Sequence, residues 1–345
     1  MKALIYNKNS DKKIELVEIE KPKIIKDTDV ILKVTLSSIC TSDIHIKKGF
    51  VPRAVNGVVL GHEFVGVIDE VGSSVKNLKI GDRVAVNCET FCNECYFCKN
   101  GFVNNCINGG WELGCRINGA QAEFVRIPYA DNTLYKLPKN VSDRNALFVG
   151  DILSSGYFAA LMLDIKKEDT IGIIGAGPVG MCAMISAKIL GVKKIVAIDI
   201  NEKRLEIAKN KGLADYFINP DKVDIEKEIK KITPYGLDGV IEAAGGKDTF
   251  NMAIQIARPN STIGVVAMYE ENQIFPLPNC YGKNLTYKTG GVDAVHCEKL
   301  IELISENKIN TDFLITKSYK LENILEAYEY FENSKEDMLK VEITY

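Results

Sequence analysis

Four cysteines stand close together in the first half of the chain, at a spacing that suits a metal ion. Cys92, Cys95 and Cys98 are separated by two residues each, and seven residues lie between Cys98 and Cys106. A Cys-x-x-Cys turn brings two sulfurs onto one ion, and structural zinc is commonly held by four thiolates at about 2.3 Å. The spacing therefore predicts a structural zinc site.

Two other structures use closely spaced cysteines, and the sequence favours zinc over both. A ferredoxin-type iron–sulfur run has three residues before its last cysteine and a proline after it, whereas Cys106 is followed by Ile107. Disulfides are typical of small secreted domains, but this chain has 345 residues and we expect no signal peptide.

A second set of possible metal ligands is more widely spread. Cys40, His62 and Asp151 offer a thiolate, an imidazole and a carboxylate, a set that can hold a catalytic zinc and leave a fourth position for water or substrate. His62 is one of only three histidines. Taken singly, each residue also has an ordinary role, as a core cysteine, a buried histidine or a helix cap. The residues alone therefore leave this second site open.

A glycine-rich loop lies between a short apolar segment, residues 171–174, and a helical pattern over residues 179–190. Glycines spaced as Gly-x-Gly-x-x-Gly permit a tight turn, close approach of the backbone to a pyrophosphate, and packing of the helix on the strand. The loop predicts a dinucleotide site. Its expected cofactor contacts are Gly175, Gly177, Pro178, Val179 and Gly180.

The expected cofactor depends on an acidic residue that ends the next predicted strand. Asp199 lies nineteen positions beyond Gly180. Its carboxylate can accept hydrogen bonds from ribose hydroxyls and repel the 2′-phosphate of NADP. NAD is therefore the predicted cofactor, although Arg204, at the start of the following helix, leaves NADP open.

The elements that must position these residues change character along the chain. Up to about Pro138, short apolar runs are split by Gly, Pro and Asn, which indicates a β-rich domain. From about residue 152, strands alternate with helices, a rhythm typical of a parallel sheet with right-handed crossovers.

Composition argues against several classes of protein. With 46% hydrophobic residues, the chain can bury a large core, and its length suggests two domains. The formal net charge is −3, without basic stripes, which argues against nucleic-acid binding. No apolar run approaches the roughly 20 residues of a membrane helix. We expect a cytoplasmic protein that binds neither nucleic acid nor membranes.

The motifs, in this order and over essentially the whole chain, resemble the zinc-dependent medium-chain alcohol dehydrogenases. Within that family, residues 40–45 and Asp151 look like the secondary-alcohol branch, and residues 282–286 are similar to the formaldehyde-dehydrogenase-like group. The motifs that carry the resemblance are Gly61-His62-Glu63, Gly81-Asp82-Arg83-Val84, the four-cysteine segment and the Gly175 loop.

The resemblance implies an α/β fold with two domains. A GroES-like β-rich catalytic domain would comprise residues 1–151 and 290–345, and a Rossmann domain with a doubly wound parallel sheet would bind NAD through residues 152–289. Two zinc ions per chain and a homotetramer are also implied. The catalytic zinc would be held by Cys40, His62 and Asp151, with Glu63 as a further candidate ligand.

The resemblance also suggests roles for residues around the catalytic zinc. Ser42 would accept the proton of the alcohol, His45 would release it to solvent, and Asp43 would orient His62. Ser42 and Asp43 are also residue types that cap helices. The candidate substrate-pocket residues are Trp111, Phe50, Tyr269 and Val292, although a lone tryptophan is also common in a core.

These features predict a zinc-dependent alcohol dehydrogenase that transfers hydride reversibly between small primary or secondary alcohols and NAD, with an aldehyde or ketone as the oxidised partner. The substrate stays open, because the branch with the aspartate ligand often lacks the four-cysteine lobe and uses NADP. A polyol, 2,3-butanediol or threonine dehydrogenase would share the metal and cofactor. A catalytically silent dinucleotide-binding scaffold would have lost a ligand, whereas all three are present.

Overall fold

The structure is a computed structural model that describes residues 1–334 and 338–345. These residues form two compact units, Met1–Ser154 with Asp293–Tyr345, and Ser155–Val292. Both boundaries lie three residues beyond those expected from the sequence, at residues 152 and 290. Within the described part of the chain, no helix is long and apolar enough to cross a membrane.

The regular elements are numbered along the chain. The strands are β1 Lys2–Tyr6, β2 Ile14–Glu18, β3 Val30–Ile39, β4 Glu63–Val71, β5 Arg83–Val86, β6 Phe124–Ile127, β7 Leu134–Lys136, β8 Thr170–Ile174, β9 Lys194–Ile198, β10 Tyr216–Ile218, β11 Leu237–Glu242, β12 Ala257–Val265, β13 Thr286–Thr289, β14 Ile315–Lys320 and β15 Lys340–Thr344. The helices are α1 Thr41–Lys47, α2 Tyr96–Lys99, α3 Ala130–Thr133, α4 Asp143–Ala146, α5 Ile152–Met162, α6 Pro178–Ile189, α7 Glu202–Asn210, α8 Ile225–Ile232, α9 Thr249–Ile256, α10 Leu277–Cys280, α11 Cys297–Ser305 and α12 Ile324–Asn333.

The first unit is built on a seven-stranded sheet in the order β14-β15-β3-β4-β5-β7, with β6 also pairing with β3. The long strand β3 runs antiparallel to β4, β6 and β15. Since β15 is the last strand of the chain, the C-terminal segment completes a sheet whose other central strands come from the first third of the sequence.

One apolar cluster in this unit matters for the site. It packs α1 and α12 together with the ends of β3 and β15, and its buried members include Ile39, Ile44, Ile324, Tyr328 and Ile343. The two helices contribute aliphatic side chains at helical spacing, and the burial of these side chains stabilises the fold mainly through the hydrophobic effect.

The second unit contains a six-stranded parallel sheet in the order β10-β9-β8-β11-β12-β13. Counted from β8, this is the order 3-2-1-4-5-6 of a doubly wound dinucleotide-binding sheet. Every residue of β8 is buried, as expected for a central parallel strand covered on both faces. The predicted α/β fold class is confirmed.

Candidate zinc centres and nucleotide loop

Cys40, His62 and Asp151 come together in the first unit. One ligand atom from each lies within 4.8 Å of the other two. Asp151 Oδ2 is 3.7 Å from Cys40 Sγ and 3.3 Å from His62 Nε2. A thiol, an imidazole and a carboxylate at these distances fit the donor set of a catalytic zinc.

The sheet explains why the first two of these residues meet. In the antiparallel pair of β3 and β4, Ser38 lies opposite Glu63. Cys40 follows the end of β3 and His62 precedes β4, so both emerge at the same end of the pair. Gly61 has a φ of +97°, a left-handed conformation that favours glycine, and a Cβ there would lie 2.7 Å from Gln121 Cγ.

Asp43 connects two of the candidate ligands. Its side chain is fully buried, and its Oδ2 accepts a hydrogen bond from the backbone amide of Cys40 at 2.9 Å. Its Oδ1 lies 3.2 Å from His62 Nδ1. The structure therefore places Asp43 both at the start of α1, where it caps the helix, and against the imidazole that it was expected to orient.

The two expected proton-relay residues lie on α1. Ser42 Oγ is 3.7 Å from Cys40 Sγ. This places the hydroxyl beside the candidate ligand group of Cys40, His62 and Asp151, called the metal cluster below. His45 lies one turn further along the helix, is buried, and has its ring edge-on to Phe50 with centroids 6.2 Å apart.

Glu63 lies outside the group of ligand atoms formed by the three residues above. Its Oε2 instead accepts a hydrogen bond from Lys340 Nζ in a fully buried ion pair, and Lys340 also donates to the carbonyl of Ile39 at 3.3 Å. Burial raises the pKa of the Glu63 carboxyl, and the charge of Lys340 opposes this rise. Lys340 was missed by sequence reasoning, where the only signal was a lysine that begins an apolar strand.

A second missed group is Glu89. Its side chain is 8% exposed, and its Oε2 has no hydrogen-bond partner among the described residues. Burial raises the pKa of Glu89 to about 8; Arg53 opposes the rise, and the nearby charge of Asp151 adds to it. Nothing in the local sequence distinguishes this residue from a surface glutamate.

Trp111 packs directly on the metal cluster. Its ring is edge-on to His62, with centroids 5.5 Å apart, and the guanidinium of Arg53 lies 5.0 Å from the centre of the indole. The other candidate pocket residues are separated: Phe50 is in the first unit, whereas Tyr269 and Val292 belong to the second. Their shared role in one pocket stays a prediction.

The four cysteines of the predicted structural site lie around α2. Their sulfurs are all within 4.8 Å of one another, with Cys95–Cys98 and Cys92–Cys106 separations of 3.5 Å. All four are free thiols, and tetrahedral zinc would set its sulfurs about 3.8 Å apart. The backbone amides of Cys98 and Ile107 lower the pKa of the Cys95 thiol to about 6, which favours the thiolate that binds metal.

The nucleotide loop connects β8 to α6 in the second unit. Gly175 has a φ of +97°, and a Cβ on Gly180 would lie 1.7 Å from the carbonyl oxygen of Gly175. The third glycine is therefore needed for the helix to pack against the turn. Helix α6 begins with Pro178 after Gly177, a position where proline loses no hydrogen bond. Val179 follows in the first turn.

Asp199 follows β9 and reaches the same loop. Its Oδ2 accepts a hydrogen bond from the amide of Ala176 at 2.6 Å, and its Oδ1 accepts one from the amide of Asn201 at 2.8 Å. Arg204 also approaches the loop, with Nη1 3.6 Å from where a Cβ on Gly177 would lie. An acidic and a basic side chain thus both border the glycines.

The presence of two candidate zinc sites predicts how much zinc the protein binds. We expect two zinc ions per chain, falling to about one in Cys95→Ser, with a lower thermal midpoint because structural zinc contributes folding free energy. Plasma mass spectrometry after gel filtration measures the ratio. The matched control is Cys280→Ser, a buried thiol outside both groups that should leave the content unchanged. Two zinc ions retained by Cys95→Ser would contradict the assignment.

Comparison with known proteins agrees with this geometry. A family model described as "Alcohol dehydrogenase GroES-like domain" matches residues 26–139, and one described as "Zinc-binding dehydrogenase" matches residues 178–306. "Zinc-type alcohol dehydrogenase B" of Aspergillus flavus is 34% identical over 345 residues, covering 97% of this chain and 79% of the relative. The "NADP-dependent isopropanol dehydrogenase" of Thermoanaerobacter brockii is 31% identical, covering 95% and 96%.

A solved structure is similar throughout. The zinc-dependent alcohol dehydrogenase 2 of Streptococcus pneumonia superposes with a TM-score of 0.93 at 35% identity, covering 100% of this chain and 98% of that one. The matches extend over both units, and the predicted GroES-like and Rossmann architecture is confirmed. The chain belongs to the zinc-dependent medium-chain alcohol dehydrogenase family.

Proposed function

We propose that this protein is a zinc-dependent alcohol dehydrogenase that transfers hydride reversibly between small primary or secondary alcohols and NAD, with an aldehyde or ketone as the oxidised partner. The observation that carries the proposal is the convergence of Cys40, His62 and Asp151 in the first unit. The second unit supplies a glycine loop suited to the dinucleotide.

Cys40, His62 and Asp151 would hold the catalytic zinc. Bound there, the ion supplies Lewis acidity, which lowers the pKa of a coordinated hydroxyl group and polarises a carbonyl. Asp43 steadies two of the three ligands, through the backbone amide of Cys40 and the ring of His62.

The proton of the alcohol needs a path through buried surroundings. Ser42, whose Oγ is 3.7 Å from Cys40 Sγ, would accept it by hydrogen bond. His45 lies on the next turn of α1 and would pass the proton on, since an imidazole exchanges protons near neutral pH.

The choice of NAD over NADP rests on Asp199. Two backbone amides hold its carboxylate beside the glycine loop, and a fixed negative charge there disfavours the 2′-phosphate of NADP. Each carboxylate oxygen keeps a further lone pair for a ribose hydroxyl. Two observations favour NADP instead: Arg204 approaches the glycine loop, and one relative is NADP-dependent.

Initial rates of NADH and NADPH formation test this proposal. With ethanol, 2-propanol, 2,3-butanediol, sorbitol and threonine as substrates, we expect at least one to be oxidised, with kcat/KM for NAD at least about tenfold above that for NADP, equivalent to about 1.4 kcal/mol. A chelator should abolish turnover. Asp199→Ala should narrow the cofactor ratio, whereas the exposed control Asp221→Ala should not.

Three outcomes would count against the proposal. Preference for NADP, or an unchanged ratio in Asp199→Ala, would refute the cofactor assignment. No turnover of any alcohol by zinc-replete protein would favour the silent dinucleotide-binding scaffold.

Glu89 favours a second candidate within the same chemistry, a polyol, 2,3-butanediol or threonine dehydrogenase. Its Oε2 lies 3.6 Å from the position that a Cβ on Gly110 would take, and the next residue, Trp111, packs against His62. Its Oε2 has no hydrogen-bond partner in the described chain. Burying such a group is costly unless a partner is supplied, and a second hydroxyl or an amino group of the substrate would supply one.

Replacing Glu89 distinguishes the two candidates. If it binds a second polar group, Glu89→Gln should lower kcat/KM for 2,3-butanediol, sorbitol or threonine by roughly 10- to 100-fold when assayed at about pH 9, where a carboxyl with a pKa of about 8 is ionised, and leave 2-propanol nearly unchanged, since a hydrogen bond to a charged group contributes about 1.5–3 kcal/mol. The exposed Glu94→Gln is the matched control. Equal effects on all alcohols would leave simple alcohols as the substrates.

A homotetramer and a cytoplasmic location stay predictions of the sequence analysis. Light scattering on a size-exclusion column tests the first directly. A mass of one or two chains would contradict the tetramer.

A further inference from the structure

A line of buried polar side chains leads from the C-terminal helix α12 to the metal cluster. The hydroxyl of Tyr328 donates to Gln121 Oε1 at 2.8 Å, and Gln121 Nε2 donates to Asp43 Oδ2 at 3.2 Å. Asp43 Oδ1 lies 3.2 Å from His62 Nδ1. The first three side chains are 0% exposed and His62 is 3% exposed, so bulk water does not compete for these contacts.

The chemistry of the groups gives this line one direction. A tyrosine hydroxyl can donate to Gln121 Oε1, which can only accept, and this directs the amide nitrogen at Asp43. The reversed amide would turn its oxygen toward the carboxylate, leaving two acceptors facing each other. Burial raises the pKa of Tyr328 well above its ordinary value, so the phenol keeps the proton that it donates.

Asp43 in turn determines which nitrogen of His62 carries the hydrogen. Its Oδ2 is engaged by Gln121 Nε2 and by the amide of Cys40. Its Oδ1 and His62 Nδ1 are buried 3.2 Å apart, and neither has a hydrogen-bond partner among the described residues, so each is the polar atom available to the other. A hydrogen on Nδ1 leaves the lone pair of Nε2 facing Asp151 and Cys40, which is the tautomer that binds a metal there.

The surroundings of Tyr328 show that its hydroxyl is not an incidental surface group. The ring packs in the apolar cluster with Ile39, Ile44 and Ile324. A phenylalanine would fill the same space without a polar atom to desolvate, whereas a buried hydroxyl is costly unless it is hydrogen-bonded. Gln121 supplies that bond, and the bond fixes the amide.

We propose that Tyr328 and Gln121 are positioning residues for the catalytic metal centre, and that their hydrogen bonds set the tautomer of His62 through Asp43. The proposal rests on the zinc centre proposed above. It assigns to α12, which offers no ligand to the cluster, a part in how tightly the ion is held.

Zinc release tests the proposal without reference to turnover. Transfer of zinc to a chromogenic chelator should show one phase for each of the two zinc centres. The phase that is missing in Cys40→Ser belongs to the catalytic centre. In Tyr328→Phe we expect the catalytic centre to bind zinc about tenfold more weakly, which is the lower end of what the hydrogen-bond partners of metal ligands contribute. Tyr330→Phe removes a hydroxyl from the same helix, packed against the same cluster, and should behave as wild type.

A second readout observes the imidazole of His62 directly. The chain has three histidines, so ¹⁵N labelling gives few imidazole signals. In the zinc-loaded wild type, where Nε2 is occupied, the Nδ1–H of His62 should be visible and protected from exchange. The signal should weaken in Tyr328→Phe and persist in Tyr330→Phe.

Two results would overturn the proposal. One is a Tyr328→Phe protein whose zinc release and Nδ1–H signal match those of Tyr330→Phe. The other comes from a double-mutant cycle, which guards against a general loss of stability. If Tyr328 acts through Gln121, adding Tyr328→Phe to Gln121→Met should cause no further zinc loss, so additive effects would contradict it. A wild-type chain without zinc in this centre would instead refute the proposed function.

Discussion

A thiol, an imidazole and a carboxylate are held within 4.8 Å of one another in a largely buried place, and buried contacts from several parts of the first unit support this arrangement. Ionised, Cys40 and Asp151 would repel each other, since two unit charges at 4 Å interact by about 4 kcal/mol at an effective dielectric constant of 20. A divalent cation bound between the two charges would replace this repulsion by attraction of both groups to the cation. The arrangement of the three groups therefore supports the proposed metal centre.

Residues far apart in the sequence provide that support. The end of β3 and the start of β4 bring Cys40 and His62 to the same end of the strand pair, and Asp43 contacts both residues. The C-terminal segment contributes a lysine from β15 that pairs with Glu63, and a tyrosine from α12 that reaches Asp43 through a glutamine. Partners beyond the ligands commonly tune metal affinity, and here they come from both ends of the chain.

The sequence predicted what depends on local spacing. The four-cysteine lobe and the glycine loop are each specified within about 20 residues by turn geometry, and the structure places their residues together as expected. Cys40, His62 and Asp151 were ambiguous from residue type alone, because strand pairing joins the first two and tertiary packing brings in the third, and the family resemblance selected them. Lys340, Gln121, Tyr328 and Glu89 were missed because burial and tertiary register, which no local pattern encodes, give them their contacts. Glu63 was considered as a ligand without knowledge that β15 places a lysine against it.

The most direct test is diffraction from crystals of the zinc-loaded chain at the zinc absorption edge. The account predicts an anomalous peak about 2.3 Å from Cys40 Sγ and about 2.0–2.1 Å from His62 Nε2, with Asp151 as the third protein ligand, and a second peak among the four cysteines. Absence of the first peak, or an ion bound by Glu63 with Asp151 turned away, would contradict it.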